Sequence, residues 1–191
     1  SLEKPKALVE VKGKTLIDYV IAALPDCIDE IFVVVGYKGE MVVDHFKNKH
    51  IGKRISFIWQ KELRGTFEAL KLVPVKGDFL VLNADDLLNK KDLEELVRHP
   101  LSILVKEVSD PEKFGVCEVR DNQLMALEEK PEKPKSNLVN AGPVKLNNKI
   151  FDIKIEPNKN GEYYLSTAIG ELAKKEKVRA VRASLWSTIN S

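Results

Sequence analysis

Cysteine is scarce in the chain, and long apolar runs are absent from it. The two cysteines, Cys27 and Cys117, belong to no Cys-x-x-Cys pair and to no cysteine–histidine cluster. This spacing indicates neither a disulfide framework nor a zinc site. No apolar run approaches the roughly 20 residues that span a bilayer, and no signal peptide is visible. We therefore expect a cytoplasmic protein that has no membrane partner.

An excess of charge of one sign is also lacking. The 31 Lys and Arg residues nearly balance the 29 Asp and Glu residues, and the formal net charge is +2. A dedicated nucleic-acid binder relies on many phosphate contacts from basic residues. The balance therefore argues against a nucleic-acid partner, although it leaves room for a local basic pocket that binds a small phosphorylated ligand.

The sequence does contain an alternation of apolar runs and helical patterns. Its 191 residues, of which 43% are hydrophobic, suffice for one domain with a real core. Runs typical of buried strands occupy 30–36, 55–59, 78–84 and 101–108. Helical patterns occupy 15–24, 39–49, 65–73 and 90–99. This alternation predicts an α/β fold with a mostly parallel sheet, in which strands 30–36 and 78–84 are covered on both faces.

The pattern changes in the second half of the chain. Residues 114–130 predict a hairpin around the turn Asp121-Asn122, and the strands of a hairpin are antiparallel. They are followed by a strand at 142–148, an amphipathic helix at 162–176 and a final strand at 178–186. The predicted fold is therefore Rossmann-like: a mostly parallel sheet flanked by helices, with a small antiparallel extension in the second half.

Polar residues follow two of the predicted strands, and ligands bind beyond the carboxyl ends of the strands in an open parallel sheet. Asp85 and Asp86 suit a Mg²⁺ ion held beside phosphates; the alternatives are that one of them caps the helix that starts near residue 90, or that both are solvated. Gln60 can read a base edge, and Gly65-Thr66 can open a ligand-binding helix N-terminus. The plainer alternative for that segment is an ordinary loop with a threonine cap.

Two further segments carry charges that would suit a phosphorylated sugar. Lys4 and Lys6 flank a proline near the amino end, and lysine is a usual partner of phosphate, although surface lysines are common. Within 127–142, Glu129 and Asn140 can bond sugar hydroxyls and Lys130 can meet a phosphate. The alternative for this segment is a hairpin connector with solvated charges.

The order of these weak patterns resembles that of the sugar-1-phosphate nucleotidylyltransferases, of the glucose-1-phosphate thymidylyl- and uridylyltransferase kind. The resemblance is collinear over essentially the whole chain. It rests on "PKALVEVKGKTLI" (5–17), "QKELRGTFEAL" (60–70), "FLVLNADDLL" (79–88), "DPEKFGVCEV" (110–119), "LEEKPEKPKSNLVNAG" (127–142) and "GEYYLSTAI" (161–169). It implies the fold of a nucleotide-diphospho-sugar transferase.

The resemblance also implies an activity in nucleotide sugar biosynthesis. Such an enzyme transfers a nucleotidyl group from a nucleoside triphosphate to a sugar 1-phosphate, with Mg²⁺ as cofactor and pyrophosphate as the second product. UTP or dTTP is favoured, because Gln60 followed by Gly65-Thr66 resembles the members that read uracil or thymine. GTP with mannose 1-phosphate and a CTP-using variant are the alternatives, and whether the chain forms a homo-oligomer stays open.

The residue roles implied by the resemblance are as follows. Catalysis would fall to Lys6, Asp85 and Lys130; nucleotide binding to Gln60, Gly65 and Thr66; sugar binding to Gly115, Glu129, Asn140 and Gly142; and metal binding to Asp85 and Asn190. No general base is needed, because the sugar phosphate is already an anionic nucleophile at neutral pH. Lysines, a helix N-terminus and Mg²⁺ would instead offset the charge that builds on the phosphates.

Several departures from the family pattern qualify this reading. The family's first strand and its glycine-rich, arginine-bearing loop have no counterpart in residues 1–191, and Thr167, Thr188 and Ala84 replace usual family residues. A sheet without its central strand would expose two strand edges. We therefore expect residues 1–191 to form a single nucleotidyltransferase-like domain that is incomplete at both ends. A catalytically impaired regulatory homologue that binds nucleotide or sugar is the functional alternative.

Overall fold

The structure is a computed structural model that describes residues 3–188. Its strands are β1 Glu10–Val11, β2 Lys14–Thr15, β3 Glu30–Val35, β4 Arg54–Trp59, β5 Asp78–Val81, β6 Asp86–Leu88, β7 Ser102–Glu107, β8 Gly115–Arg120, β9 Gln123–Glu129, β10 Leu138–Asn147, β11 Arg179–Arg182 and β12 Trp186–Thr188. Its α-helices are α1 Leu16–Ala22, α2 Gly39–Phe46, α3 Thr66–Lys71, α4 Lys90–Val97 and α5 Leu165–Ala173. No helix in this part of the chain is long and apolar enough to cross a membrane.

The main sheet is mixed, so the prediction of an α/β fold is confirmed and that of a mostly parallel sheet is wrong. Its order is β5-β10-β7-β11-β9-β8, and an additional pairing of β10 with β8 closes the last five strands into a ring. Within residues 3–188 only β7–β11 and β3–β4 are parallel. The physical reason is β10, which lies between β5 and β7 and is antiparallel to both.

Strand β10 is one ten-residue strand, Leu138–Asn147, whereas the sequence predicted a strand only at 142–148. The register of its pairing with β7 shifts between Asn140 and Val144. Gly142 lies in this irregularity at φ +101°, a conformation that L side chains rarely adopt. The bulge therefore interrupts the ladder while the strand continues, and it presents Asn140 and Gly142 at the strand's middle.

The predicted hairpin of β8 and β9 is confirmed. Asp121 and Asn122 connect the two strands with φ angles of 51° and 57°, as a type I′ turn requires. The final strand predicted at 178–186 is instead two strands, β11 and β12, and β12 pairs with β6. The break follows from Asp92 in α4, whose Oδ2 accepts hydrogen bonds from the backbone N–H and the hydroxyl of Ser184 at 2.8 and 2.9 Å.

The closed sheet and α5 enclose the main core. Its members are buried side chains from β7, β9, β10 and α5, and Ile103, Val144, Leu146 and Ile150 are all 0% exposed. Helix α4 covers the opposite face of the sheet through Leu93 and Leu96. Burial of this many apolar side chains is the main favourable term in the stability of a domain of this size.

A slot separates β3 from β5. Among the described residues β3 pairs only with β4, and β5 pairs only with β10. Consecutive residues of both strands, 29–34 and 78–86, line one cavity of about 1180 Å³. The central residues of β3 are only half-buried, so the predicted coverage of strands 30–36 and 78–84 on both faces is wrong for this chain.

Candidate active site

The carboxylates after β5 lie at one end of this cavity. Asp85 is half-buried and lines it, and no hydrogen bond from the described residues engages its carboxylate. Asp86 is 3% exposed and accepts a hydrogen bond from Asn83 Nδ2 at 2.9 Å. Neither aspartate caps α4, because Asn89 does so by accepting from the Lys91 N–H at 3.0 Å. The capping alternative is therefore excluded, and Asp85 is left exposed to a ligand.

Burial raises the pKa of Asp86 to about 6. The hydrogen bond from Asn83 opposes this rise, and the neighbouring charge of Asp85 adds to it. Gly142 explains how so tight a site forms: a Cβ there would lie 2.6 Å from Asp86 Oδ2 and 2.8 Å from Asn83 Nδ2. A glycine in the β10 bulge thus lets the sheet backbone approach the aspartate pair directly.

The residues proposed to hold a sugar come from the open end of the β8–β9 hairpin. Gly115 and Glu129 are paired across it, and the Lys130 N–H donates to Phe114 O at 2.9 Å. A Cβ at position 115 would lie 3.1 Å from Glu129 Oε2, so the carboxylate occupies space that a side chain there would take. Lys130 has φ +45°, and no carboxylate of the described residues pairs with its ammonium group. The hairpin end therefore offers one carboxylate and one free cation.

Asn140 adds a donor to this group. Its Oδ1 accepts from the Gly142 N–H at 2.9 Å, which fixes the orientation of the side-chain amide. The Nδ2 donor is therefore the group left for a ligand. Glu129 complements it, because Ser166 Oγ donates to Oε2 at 2.6 Å and Oε1 has no partner in the described part of the chain. The site presents an acceptor and a donor side by side, as hydroxyl groups require.

Gln60, Gly65 and Thr66 lie beside the loop that precedes α5. Gln60 Nε2 donates to Gly65 O at 3.4 Å. Gly65 has φ +97°, and a Cβ there would lie 2.4 Å from Tyr163 O, so glycine is required by a backbone contact. Thr66 is not the cap of α3: its Oγ1 accepts from the Leu165 N–H at 2.9 Å. These contacts join α3 to the start of α5.

The structure brings most of the candidate residues to the one cavity. The predicted residues that line it are Thr66, Asp85, Gly115, Glu129, Lys130, Asn140 and Gly142. Lys6, Gln60 and Gly65 are not among the lining residues, although Gln60 and Gly65 adjoin Thr66 through the contacts above. Asn190, predicted as a metal ligand, lies outside the described residues.

Sequence reasoning missed several residues that line the cavity. Phe114 and Trp186 contact each other there with ring centroids 5.4 Å apart, and Ser166 and Tyr164 come from the start of α5. Ser166 engages Glu129, and Tyr164 donates to Glu162 Oε2 at 2.8 Å. Nothing in the local pattern of the α5 segment distinguishes Ser166 from a helix residue that faces the core.

Among the candidate metal ligands in the described residues, only Asp85 is suited to bind Mg²⁺. Residues 3–188 contain no group of three or more histidine, cysteine and carboxylate side chains that could hold a metal ion. Mg²⁺ keeps several waters and is commonly bound by one or two carboxylates together with substrate phosphates. A single accessible aspartate at the end of β5, in a cavity that also contains a free lysine, meets that requirement.

Comparison with known proteins establishes the family. The family model for nucleotidyl transferases matches residues 1–189, so the chain belongs to the nucleotidyl transferase family. The bifunctional protein GlmU of Methanocaldococcus jannaschii is 38% identical over 97% of this chain and 46% of its own length. The UTP–glucose-1-phosphate uridylyltransferase AglF of Haloferax volcanii is 32% identical over 96% of this chain and 82% of its own length. The chain thus spans about half the length of the GlmU relatives that it matches.

A solved structure agrees on the fold. A UDP-glucose pyrophosphorylase in complex with UDP-glucose superposes with a TM-score of 0.82 at 23% identity, over 94% of this chain and 82% of that one. At this identity the likeness concerns the architecture. The mixed sheet, with its closed second half, is therefore the architecture of a known nucleotide-sugar enzyme.

Proposed function

We propose that this domain transfers a nucleotidyl group from UTP or dTTP to a sugar 1-phosphate, giving a nucleotide sugar and pyrophosphate. One observation carries the proposal: a carboxylate suited to a metal, a free lysine and a paired acceptor and donor line the same cavity. These are Asp85, Lys130, Glu129 and Asn140. The relative AglF is a UTP–glucose-1-phosphate uridylyltransferase, which supports the choice of substrates. A cytoplasmic location is part of the same proposal.

The sugar phosphate would be held by the end of the β8–β9 hairpin. Glu129 Oε1 accepts from one sugar hydroxyl, Asn140 Nδ2 donates to another, and the Lys130 ammonium contacts the phosphate. Each of these groups lacks another partner in the described chain, so none must break an internal bond to bind. Because Glu129 and Asn140 are each held by an internal hydrogen bond before binding, the sugar can be oriented so that its phosphate oxygen lies in line with the nucleotide.

The nucleotide would bind toward the start of α3. Thr66 lines the cavity, and Gln60 is held next to it by its bond to Gly65 O. When bound, Mg²⁺ would supply charge neutralisation at the phosphates, with Asp85 as its protein ligand. Lysine reduces the repulsion between the two anionic reactants, a form of electrostatic stabilisation that needs no proton transfer. Lys6, which would also contact phosphate, remains part of the proposal although it does not line the cavity.

We further propose that one more strand of the same polypeptide fills the slot between β3 and β5. Ala84, at the end of β5, packs in the same cluster as Val33 and Val35, so the two carboxyl ends lie on one side. A single extended strand parallel to both would satisfy the two free edges and cover the half-buried apolar side chains. Residues 1–191 would then be one domain that is completed by segments outside them.

The direct test is pyrophosphate release by the intact polypeptide. UTP, dTTP, GTP and CTP are each combined with glucose 1-phosphate, N-acetylglucosamine 1-phosphate and mannose 1-phosphate in the presence of Mg²⁺. We expect release with UTP or dTTP and at least one sugar phosphate, and formation of the matching nucleotide sugar by mass spectrometry. Preferred use of GTP or CTP would instead support one of the two alternatives, the GTP and mannose 1-phosphate enzyme or the CTP-using variant.

The second candidate function is a regulatory homologue that binds nucleotide or sugar without turnover. The observation that favours it is the presence of Thr167 and Thr188 at positions where the family resemblance implies aspartates. Absence of pyrophosphate release with every pair, together with calorimetric binding of a nucleotide or a sugar phosphate, would select this candidate. Absence of both release and binding would contradict the two candidates alike.

A further inference from the structure

We propose that helix α5 sets the position of the Glu129 carboxylate through Ser166, and that Gly170 sets how closely the helix approaches. Ser166 and Gly170 are thus positioning residues. The inference rests on the proposed function for its ligand, a sugar 1-phosphate, but the arrangement itself is a property of the described chain. Neither residue was predicted as part of the site.

The contact between Ser166 and Glu129 has the geometry of a strong hydrogen bond. Ser166 Oγ donates to Glu129 Oε2 at 2.6 Å, which is typical of a hydroxyl on a carboxylate. Ser166 is 8% exposed, so water does not compete freely for its hydroxyl. A glutamate side chain has several staggered rotamers, and this bond selects the one in which the carboxylate lies over Gly115. Oε1 is then left for the ligand.

Gly170 lies one helical turn further along the same face of α5. A Cβ at this position would lie 2.7 Å from the carbonyl oxygen of Leu127, a distance that real Cβ atoms essentially never show. One helical turn from 166 to 170 spans about 6 Å, and the two strand residues from 129 to 127 span about 7 Å. The two contacts therefore match along α5 and β9, with Ser166 against Glu129 and Gly170 against Leu127.

Because of this spacing, Gly170 can influence the position of the Glu129 carboxylate although it does not itself line the cavity. An alanine there must push the helix away from a strand carbonyl that cannot rotate aside, because β9 is paired with β8 at Leu127. The Ser166 hydroxyl moves with the helix and loses its reach to Glu129. A substitution remote from the cavity is thus expected to have the same consequence as removal of the hydroxyl itself.

The first test determines the position of the Glu129 carboxylate by crystallography and needs no ligand. Crystal structures of Ser166→Ala and Gly170→Ala are expected to show the Glu129 carboxylate displaced from its place over Gly115. In Gly170→Ala the Ser166–Glu129 distance is also expected to exceed hydrogen-bond range. A Glu129 carboxylate that keeps its place in Ser166→Ala would overturn the proposal, whatever the chain binds.

The second test measures the effect on ligand binding, as dissociation constants for glucose 1-phosphate and UTP determined by calorimetry. Ser166→Ala and Gly170→Ala are each expected to weaken glucose 1-phosphate binding by about tenfold or more. Ser166→Ala, which leaves the helix in place, is also expected to leave UTP binding unchanged. Ser166→Thr, which keeps the hydroxyl, is expected to restore binding. The double variant should be no weaker than either single one, because both remove the same contact.

A matched control separates positioning from general loss of stability. Ser102 is another buried serine whose hydroxyl donates to a backbone carbonyl, Leu96 O, at 2.8 Å. Ser102→Ala is expected to lower stability without changing either dissociation constant. Equal weakening in Ser102→Ala and Ser166→Ala would overturn the proposal. If the unchanged chain binds no sugar phosphate while Glu129 still moves in the variant crystals, the proposed function fails and the positioning role stands.

Discussion

Similar apolar strands are buried to different extents in the two halves of the molecule. The closed half contains the ring of strands β7 to β11, and the open half contains β3 and β4. In the closed sheet Ile103, Val144 and Leu146 are 0% exposed, whereas the central residues of β3 on the open side are half-buried along the slot. The candidate site residues divide in the same way. Those on the closed sheet (Gly115, Glu129, Asn140 and Gly142) all line the cavity. Of the nucleotide-side candidates only Thr66 lines it, whereas Gln60 and Gly65 do not, and neither does Lys6.

This difference indicates that the sugar subsite is more preorganised than the nucleotide subsite before a ligand binds. The sugar side is built on strands that pair on both edges and on a bulge fixed by Gly142, so its groups are held before a ligand arrives. The nucleotide side borders a sheet edge that has no partner in the described chain. We therefore expect the sugar side to be rigid and the nucleotide side to depend on whatever fills the slot.

The largest expected effect compares one isoleucine from each half. Ile103→Ala removes a fully buried side chain from the closed sheet and is expected to cost about 2–5 kcal/mol of unfolding free energy. Ile31→Ala removes a half-buried one that lines the slot, and the expected cost is about 1 kcal/mol or less. Urea unfolding of both variants, made in residues 1–191, measures the difference. Equal losses would show that the two halves are equally well packed.

The next effect concerns Asp86, which lies where the two halves meet. Its folded pKa of about 6 exceeds the ordinary 3.8, so the folded state holds the proton more tightly. Stability should therefore fall as pH rises from about 4 to about 6, by at most about 3 kcal/mol from this group. The measurement is unfolding free energy against pH, without divalent metal, for the wild type and Asp86→Asn. The variant should gain stability relative to wild type across that window, and a constant difference would refute the shift.

Asp18 on the open half provides the opposite pH slope as a control. Burial alone would raise its pKa, but hydrogen bonds from Lys49, Thr15 and His45 outweigh that and lower the pKa to about 2. Its contribution is complete above pH 4 and is lost as pH falls toward 2. Asp18→Asn should therefore lower stability by a constant amount above about pH 4 and by progressively less as pH falls toward 2. The difference between Asp86→Asn and the wild type should instead change only between about pH 4 and pH 6.

At Asp85 we expect a smaller free-energy effect, which raises the barrier to turnover and leaves stability nearly unchanged. Asp85→Asn keeps the shape of the side chain and removes the charge that would hold Mg²⁺, so turnover by the intact polypeptide should fall by about 100-fold or more. Because no hydrogen bond among residues 3–188 engages this carboxylate, the unfolding free energy should change little. Turnover of Asp85→Asn equal to that of the wild type would remove Asp85 from the metal site.

The smallest effect compares two substitutions of Lys130. Both Lys130→Ala and Lys130→Gly remove the ammonium and should weaken sugar-phosphate binding similarly. Only glycine relieves the left-handed backbone at φ +45°, so Lys130→Gly should be more stable than Lys130→Ala by about 1 kcal/mol. Thermal unfolding and glucose 1-phosphate titration of the pair separate the two contributions. Unequal affinities would mean that the backbone, and not the charge, binds the phosphate.

Local patterns in the sequence predicted the helices, the hairpin and the residues at the hairpin end. The turn Asp121-Asn122 carries its geometry in its own residue types. A regular hairpin with this turn would pair Gly115 with Glu128, and a bulge between Glu118 and Val119, which the local pattern does not predict, shifts the partner of Gly115 to Glu129. The insertion of β10 between β5 and β7 could not be predicted in this way, because strand order depends on contacts between distant residues. The same holds for Ser166, whose contact with Glu129 exists only once α5 has packed on β9.

The most direct test of the account is a titration of the chain with glucose 1-phosphate, followed by backbone amide chemical shifts. We predict saturable shifts centred on Gly115, Glu129, Lys130 and Asn140, and loss of those shifts in Lys130→Ala. Saturating glucose 1-phosphate that leaves these amides unchanged, or that shifts only residues outside the cavity, would contradict the assignment of this cavity as a sugar-phosphate site.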